Sequence, residues 1–329
     1  MPQSGRRHAA GVTAEELNSK RSFAPKRARA GACLAALALI WAAAPAALRA
    51  QGLSPSQTSS PAQSQARASA QRARPAAGCG LPLVATGRVK GVIDGRTLML
   101  DDGREARLAA IEVAPVIAAA ADGDERDRAG RAAQEALAEL AFGRDVALRQ
   151  AAESTDRYGR IVAFGFVAQD NSVAQDNAER SLQHELVAQG HARLAARIES
   201  QACLGELRAR ERDARRAALG LWADPHYSVQ SAEKPADITA QRGRFSVVEG
   251  EVVSVRESRG TTYINFGRRW SESFAAVILK RNASALLAAG LDPKRLKGRR
   301  VEVRGFVELR GGPRIEVARP EQIAVVAGR

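Results

Sequence analysis

The feature that most limits how this chain can fold is an apolar run at its N-terminus. Residues 31–48 are rich in Ala and Leu and carry no charge. Lys20, Arg21, Lys26, Arg27 and Arg29 precede the run, and Ala46, Ala47 and Ala50 mark its exit. A positive leader, an apolar centre and a small-residue exit form the pattern of an export signal. The run is slightly short of the ~20 apolar residues that span a bilayer, so an uncleaved anchor is the alternative. Residues 51–78 follow with Ser, Ala, Gln, Arg and Pro but no aromatic side chain. Such a stretch cannot bury enough apolar surface to offset its ordering entropy. Residues 1–50 are therefore expected to be an export signal, 51–78 a disordered linker, and the folded protein to begin at residue 79.

The net charge of +14 is unevenly distributed. Residues 79–239 hold more acidic than basic side chains, whereas 240–329 hold 18 basic against 9 acidic. Polyanion binding is mostly phosphate neutralisation, so uniform nucleic-acid binding along the chain is excluded. Of the three cysteines, Cys33 lies in the apolar run and would leave with the signal. Cys79 and Cys203 remain, and two cysteines in an exported chain are candidates for one disulfide, with free thiols as the alternative. A bond between them would close a long loop and contribute roughly 2–4 kcal/mol. The expected location is periplasmic or secreted, with no integral membrane association after signal cleavage.

Periodicity divides residues 79–225 into short strands and helices. Strands are expected at 83–93, 97–101, 104–112, 145–150 and 160–168. The Asp102-Gly103 pair is a strong hairpin signal. Helices are expected near 126–142, 178–190 and 200–219, where apolar residues recur at helical spacing. A short tandem repeat at 167–177 reads as a duplicated loop segment.

Several motifs then carry a resemblance. Residues 92–97 (VIDGRT), 107–112 (RLAAIE), 156–160 (DRYGR), 186–192 (LVAQGHA) and 220–222 (GLW) stand in order and near the spacing of the thermonuclease family. The segment 79–225 resembles that staphylococcal-nuclease-like family. The resemblance implies an α+β fold, a five-stranded OB-type barrel with three helices. It also implies calcium-assisted cleavage of DNA and RNA phosphodiesters.

That chemistry needs oxygen ligands for a hard cation, a carboxylate that activates water and arginines that grip the phosphate. By resemblance, Arg107 and Arg160 occupy the phosphate-contact positions and are the candidate catalytic residues. Arg96 stands where the family has a metal-binding Asp. Val116 falls at the catalytic glutamate position. Asp94 and Glu112 are the remaining metal candidates. Arg96, Arg107 and Arg160 are thus expected to form an anion-binding pocket, with no cofactor. Calcium enters only if the alternative holds, an active phosphodiesterase with altered metal ligation.

Residues 226–243 are polar and contain Pro, which suits a linker. Residues 244–329 show three strands, a helix and a hairpin, the order of an OB-like barrel. On the strand 299–309, alternation turns Val301, Val303, Val307 and Leu309 inward and Arg300, Glu302, Arg304, Phe306 and Glu308 outward. Arg268, Arg269, Trp270, Arg300, Arg304 and Phe306 are the candidate nucleic-acid contacts, because basic groups interleaved with aromatics bind single strands. The alternative is that the rings complete the core and the arginines are solvated. The expected function is an exported thermonuclease-family protein whose degenerate site binds nucleic acid or other phosphate-bearing anions.

Overall fold

The computed structural model describes residues 77–116, 125–150, 155–168, 179–195, 197 and 201–326. The expected export signal, most of the 51–78 linker's neighbourhood up to Ala76, the acidic residues Asp122 and Asp124, and residues 169–178 of the tandem loop lie outside these. The described chain is α+β, built of helices and several largely antiparallel sheets.

In the N-terminal part, β1 (Leu83–Asp94) is long enough to serve two neighbours. Its first half pairs antiparallel with β5 (Asp145–Arg149), its second with β2 (Thr97–Leu100), and bulges mark the change of direction. β3 (Glu105–Leu108) follows the Asp102-Gly103 turn, where Gly103 takes φ +87°. β6 (Ile161–Ala168) pairs antiparallel with β5 and parallel with β3, so the hydrogen bonding returns towards its start.

The expected strand 104–112 is broken after Leu108. Ala110 takes a left-handed φ of +66°, and the chain leaves the sheet as β4 (Ile111–Val113). β7 (Glu179–Ser181) adds an edge to the six-stranded sheet, and β8 (Ala192–Leu194) pairs antiparallel with β4.

Three helices cover this sheet: α1 (Glu125–Ala141), α2 (Leu182–Ala188) and α3 (Gln201–Arg216). Ala133, Leu137, Leu140 and Ala141 are buried, as their spacing implies. α2 is shorter than expected because residues 179–181 extend as β7, and the Ser181 hydroxyl caps the helix by accepting from the His184 N–H. Glycines bring the ends of α2 and α3 together. A Cβ on Gly190 would stand 2.2 Å from the Leu219 carbonyl oxygen, and the Leu221 N–H donates to the Gly190 carbonyl at 2.9 Å. Cys79 and Cys203 form a disulfide that ties the start of the described chain to α3 across 124 residues.

Residues 226–243, expected as a polar linker, fold as β9 (Gln230–Ser231) and α4 (Pro235–Ala240), with Ile238 fully buried. The C-terminal part contains β10 (Phe245–Glu251), β11 (Ser254–Ser258), β12 (Thr261–Asn265), β13 (Ala275–Leu279), helix α5 (Lys280–Ala288), β14 (Arg300–Leu309), β15 (Pro313–Glu316) and β16 (Ile323–Val325). Its eight-stranded sheet runs β11-β12-β13-β15-β14-β10-β9, with β16 on β14. Each part has its own apolar core. Trp222, Phe245, Val247 and Ala214 form a smaller cluster where they meet.

That meeting place is ionic at its centre. Alternation placed Glu302 and Arg304 on the outer face of β14, and this face is covered by α3 and β8 instead of solvent. Arg304 is buried and donates to Glu211 of α3 at 3.0 and 3.3 Å, to the Leu194 carbonyl at 3.2 Å, and to Glu302. Glu211 also accepts from the Leu194 N–H at 2.9 Å and pairs with Arg215, which pairs in turn with Glu302. Burial pushes the Glu302 carboxyl up, but the charges of Arg304 and Arg215 and their hydrogen bonds outweigh it and hold it down at about 2. Leu309, expected inward, is partly exposed at the end of β14.

Because the folded Glu302 carboxyl titrates at about 2 against an ordinary 4.5, its contribution is complete above pH 4.5 and is lost as pH falls towards 2. Chemical denaturation across that range should show about 3 kcal/mol of acid-dependent stability. Glu302→Gln should remove that part of the slope and cost about 3–5 kcal/mol at neutral pH, because Arg304 loses a buried partner. Reduction of Cys79–Cys203 should lower stability by about 4 kcal/mol, read as a shift in denaturation midpoint with and without a reductant.

Candidate functional site

The turn between β1 and β2 begins the site. Asp94 Oδ1 accepts from the Arg96 backbone N–H at 2.9 Å, which fixes the turn. A Cβ on Gly95 would stand 2.6 Å from the Ala133 Cβ, so this tight turn against α1 requires glycine. Gln134 of α1 donates to the Val92 and Ile93 carbonyls at 3.0 and 3.1 Å and holds the same corner.

Arg96 then reaches across to β4. Its Nη1 lies 2.7 Å from Glu112 Oε2 and donates to the Ile111 carbonyl at 2.9 Å. Both side chains are mostly shielded from water, with 15% and 16% exposure. β4 can meet Arg96 only because the chain kinks at Ala110. Glu112 is in turn the cross-strand partner of Arg193 on β8. Arg193 is buried between the rings of Tyr227 and Phe245 and donates to their carbonyls at 3.2 and 3.0 Å. Burial depresses its guanidinium to about 10, with Glu211 and Glu112 opposing the shift.

Arg107 sits on β3 opposite Thr97 and beside Val162 of β6. It is half-buried and makes no salt bridge among the described residues. Burial lowers its pKa, and the neighbouring charges of Arg96 and Arg160 lower it further; Glu112 and Asp94 oppose them. The structure thus brings Asp94, Arg96, Arg107, Glu112 and Arg160 into one electrostatic neighbourhood. Thr97 beside them is fully buried, and its hydroxyl oxygen has no hydrogen-bond partner among the described residues.

Arg160 is held by Asp156. Its Nε donates to Asp156 Oδ2 at 2.7 Å, and its Nη2 lies 2.6 Å from the same oxygen. Arg157 and Arg160 both lie over the Tyr158 ring, at 4.8 and 5.0 Å from its centroid. Tyr158 is 66% exposed, and with Gly103, Arg104, Glu105, Gly159 and Arg160 it lines an open cleft of about 490 Å³. The cleft and Tyr158 were absent from the expected site; an exposed aromatic inside the DRYGR block was the available signal. Arg193 was also missed, since only the β4–β8 register links it to Glu112.

The two carboxylates considered for metal have other partners: Asp94 accepts from the turn, and Glu112 faces a guanidinium. The Val116 side chain offers no ligand atom. Among the described residues no three His, Cys, Asp or Glu side chains gather as a metal site.

The C-terminal candidates separate into two groups. Arg304 is a correction: it is buried at the junction and is inaccessible to a nucleic acid. Arg300 is exposed but engaged with Glu249 at 2.6 Å. Phe306 is 54% exposed and meets Phe245 edge-on, while Arg268, Arg269 and Trp270 are all exposed on one loop.

The chain belongs to the staphylococcal nuclease homologue family. The family model of that description matches residues 107–224, from Arg107 on β3 to Asp224, which follows the Gly220–Ala223 turn. Protein ParB of Escherichia coli is 32% identical over 142 residues, which cover 43% of this chain and 73% of that protein.

Arg96→Ala would remove the pairing that shields Glu112 and the bond to the Ile111 carbonyl. Thermal denaturation of this variant should show a loss of about 1–3 kcal/mol, larger than for Arg157→Ala, whose side chain is exposed.

Proposed function

We propose that this protein is an exported nucleic-acid-binding member of its family, whose pocket holds phosphate groups without the family's calcium-assisted cleavage. One observation carries this reading: Arg107 is a half-buried cation with two cationic neighbours and no salt bridge among the described residues. A phosphate or other anion would relieve the cost of that charge and accept from its planar fork. Arg160 is oriented towards the same region by Asp156 and Tyr158, which suits it for a second contact to the same anion. The residues described around the pocket do not fit a calcium ion. Such an ion needs several anionic or carbonyl oxygens, and here the available carboxylates are bound to Arg96.

The return of β3 onto β6 supports reading the first sheet as a five-stranded OB-type barrel. The strand order after residue 244 supports reading the second as an OB-like one. The Cys79–Cys203 bond supports an oxidising compartment, periplasmic or extracellular. The intact arginine pair favours one competing reading, a phosphodiesterase with altered metal ligation through Glu112 and Asp94, or through the loop acids Asp122, Asp124 and Glu125.

Titration calorimetry of the full chain with a nucleoside diphosphate, in calcium and in a chelator, distinguishes the two. Equal binding under both conditions is expected, weakened about 10- to 100-fold by Arg107→Ala, the range for a lost charge-assisted hydrogen bond. Robust calcium-dependent turnover of single-stranded DNA that disappears in Arg160→Ala would overturn the reading.

A further inference from the structure

Trp270 lies far along the chain from this pocket, and its setting is unusual for a solvent-facing ring. It is 71% exposed, whereas Trp222 is buried. Its loop, 267–273, is closed by its own backbone: the Glu272 and Ser273 N–H groups donate to the Arg269 carbonyl at 3.0 and 2.8 Å. A Cβ on Gly267 would stand 2.2 Å from the Ser273 hydroxyl oxygen, so the loop is drawn in as tightly as glycine allows.

The β14–β15 turn packs against this loop. Arg310 N–H donates to the Gly312 carbonyl at 3.0 Å. A Cβ on Gly311 would stand 3.3 Å from the benzo edge of Trp270, and one on Gly312 would stand 3.1 Å from the Ser271 carbonyl oxygen. Two glycine turns therefore seat one edge of the indole and leave most of its surface to solvent. A ring edge rested on a turn has fewer rotamers to lose on binding than a wholly free one, which lowers the entropy cost of binding.

The charges around it are of one dominant sign. Arg268, Arg269 and Arg310 are all exposed, and among the described residues Arg268 and Arg310 have no acidic partner. Arg269 pairs with Glu272 at 3.2 Å, both side chains largely in solvent, a pairing of little energetic weight. A seated aromatic face flanked by guanidinium groups matches a base joined to its phosphates. An acidic peptide would use the arginines but leave the indole without a role.

We propose that Trp270, with Arg268, Arg269 and Arg310, forms a stacking site for single-stranded nucleic acid. One base lies on the indole and adjacent phosphates lie on the arginines. The proposal deepens the nucleic-acid reading above but uses none of the pocket's residues.

The test is titration of the full chain with a dodecamer of deoxythymidine, followed by tryptophan fluorescence and by anisotropy of a labelled strand. Stacking should quench the emission, and the quench should be absent in Trp270→Phe if Trp270 is its source. Trp270→Ala should weaken binding about 5- to 100-fold, and Trp270→Phe should restore most of it. Joint replacement of Arg268, Arg269 and Arg310 by Ala should lower the log–log salt slope by about 2. Unchanged affinity in Trp270→Ala overturns the proposal. So does base-free polyphosphate or an acidic peptide binding with the same dependence on Trp270. Arg160→Ala, titrated in parallel, separates the two sites. Quenching that survives in Arg160→Ala supports the Trp270 site even where the pocket binds nothing. Loss in Arg160→Ala with none in Trp270→Ala supports the pocket alone.

Discussion

The buried Arg304–Glu211 pair holds the two parts of this molecule in one arrangement. Each charge is expensive to remove from water, and neither is tolerable alone in an interior. Together with Arg215 and Glu302 they satisfy one another, and the Leu194 N–H and carbonyl complete the set. Apolar burial could hold two surfaces together in many registers. A bidentate arginine with fixed partners permits few, so the network specifies the docking more than it strengthens it.

The network also reaches the pocket through a short ribbon. Leu194, which both members of the pair touch, ends β8; Arg193 precedes it and faces Glu112 across the β4–β8 pair. Glu112 binds Arg96, and Arg96 adjoins Arg107 electrostatically. Alternating charges thus run from the C-terminal sheet to the candidate phosphate site. The position of Arg96 depends on residues more than two hundred places later in the chain, without any of them entering the pocket.

Much of the fold was legible because its signals are local. The Asp102-Gly103 turn and the helical spacing of Ala133, Leu137 and Leu140 rest on residues close in sequence, whereas the long strand expected at 245–257 is split into β10 and β11. The break at Ala110 was not legible, since two alanines carry no turn signal and the left-handed residue is imposed by the pairing of β4 with β8. Alternation correctly put Glu302 and Arg304 on one face of β14, but it has no knowledge of what covers that face. In the site, the motif blocks placed Arg107 and Arg160 together. The Arg96–Glu112 pairing escaped because it depends on a kink and on the meeting of two distant segments. The motif glycines Gly190 and Gly220 were legible as markers, while their reason, backbone touching backbone, needed coordinates.

Composition suggests a seam in this polypeptide at 226–243, where a gene rearrangement could exchange one tail for another. The ionic partners lie on both sides of that seam, so a crossover there would part Arg304 and Glu302 from Glu211 and Arg215. A crossover upstream of Gln201 would carry the helix and the sheet away together with their charges matched, although it would sever the cystine. The inheritable module of this molecule is therefore drawn by electrostatics, and its border falls inside the region that the family signature treats as a single piece.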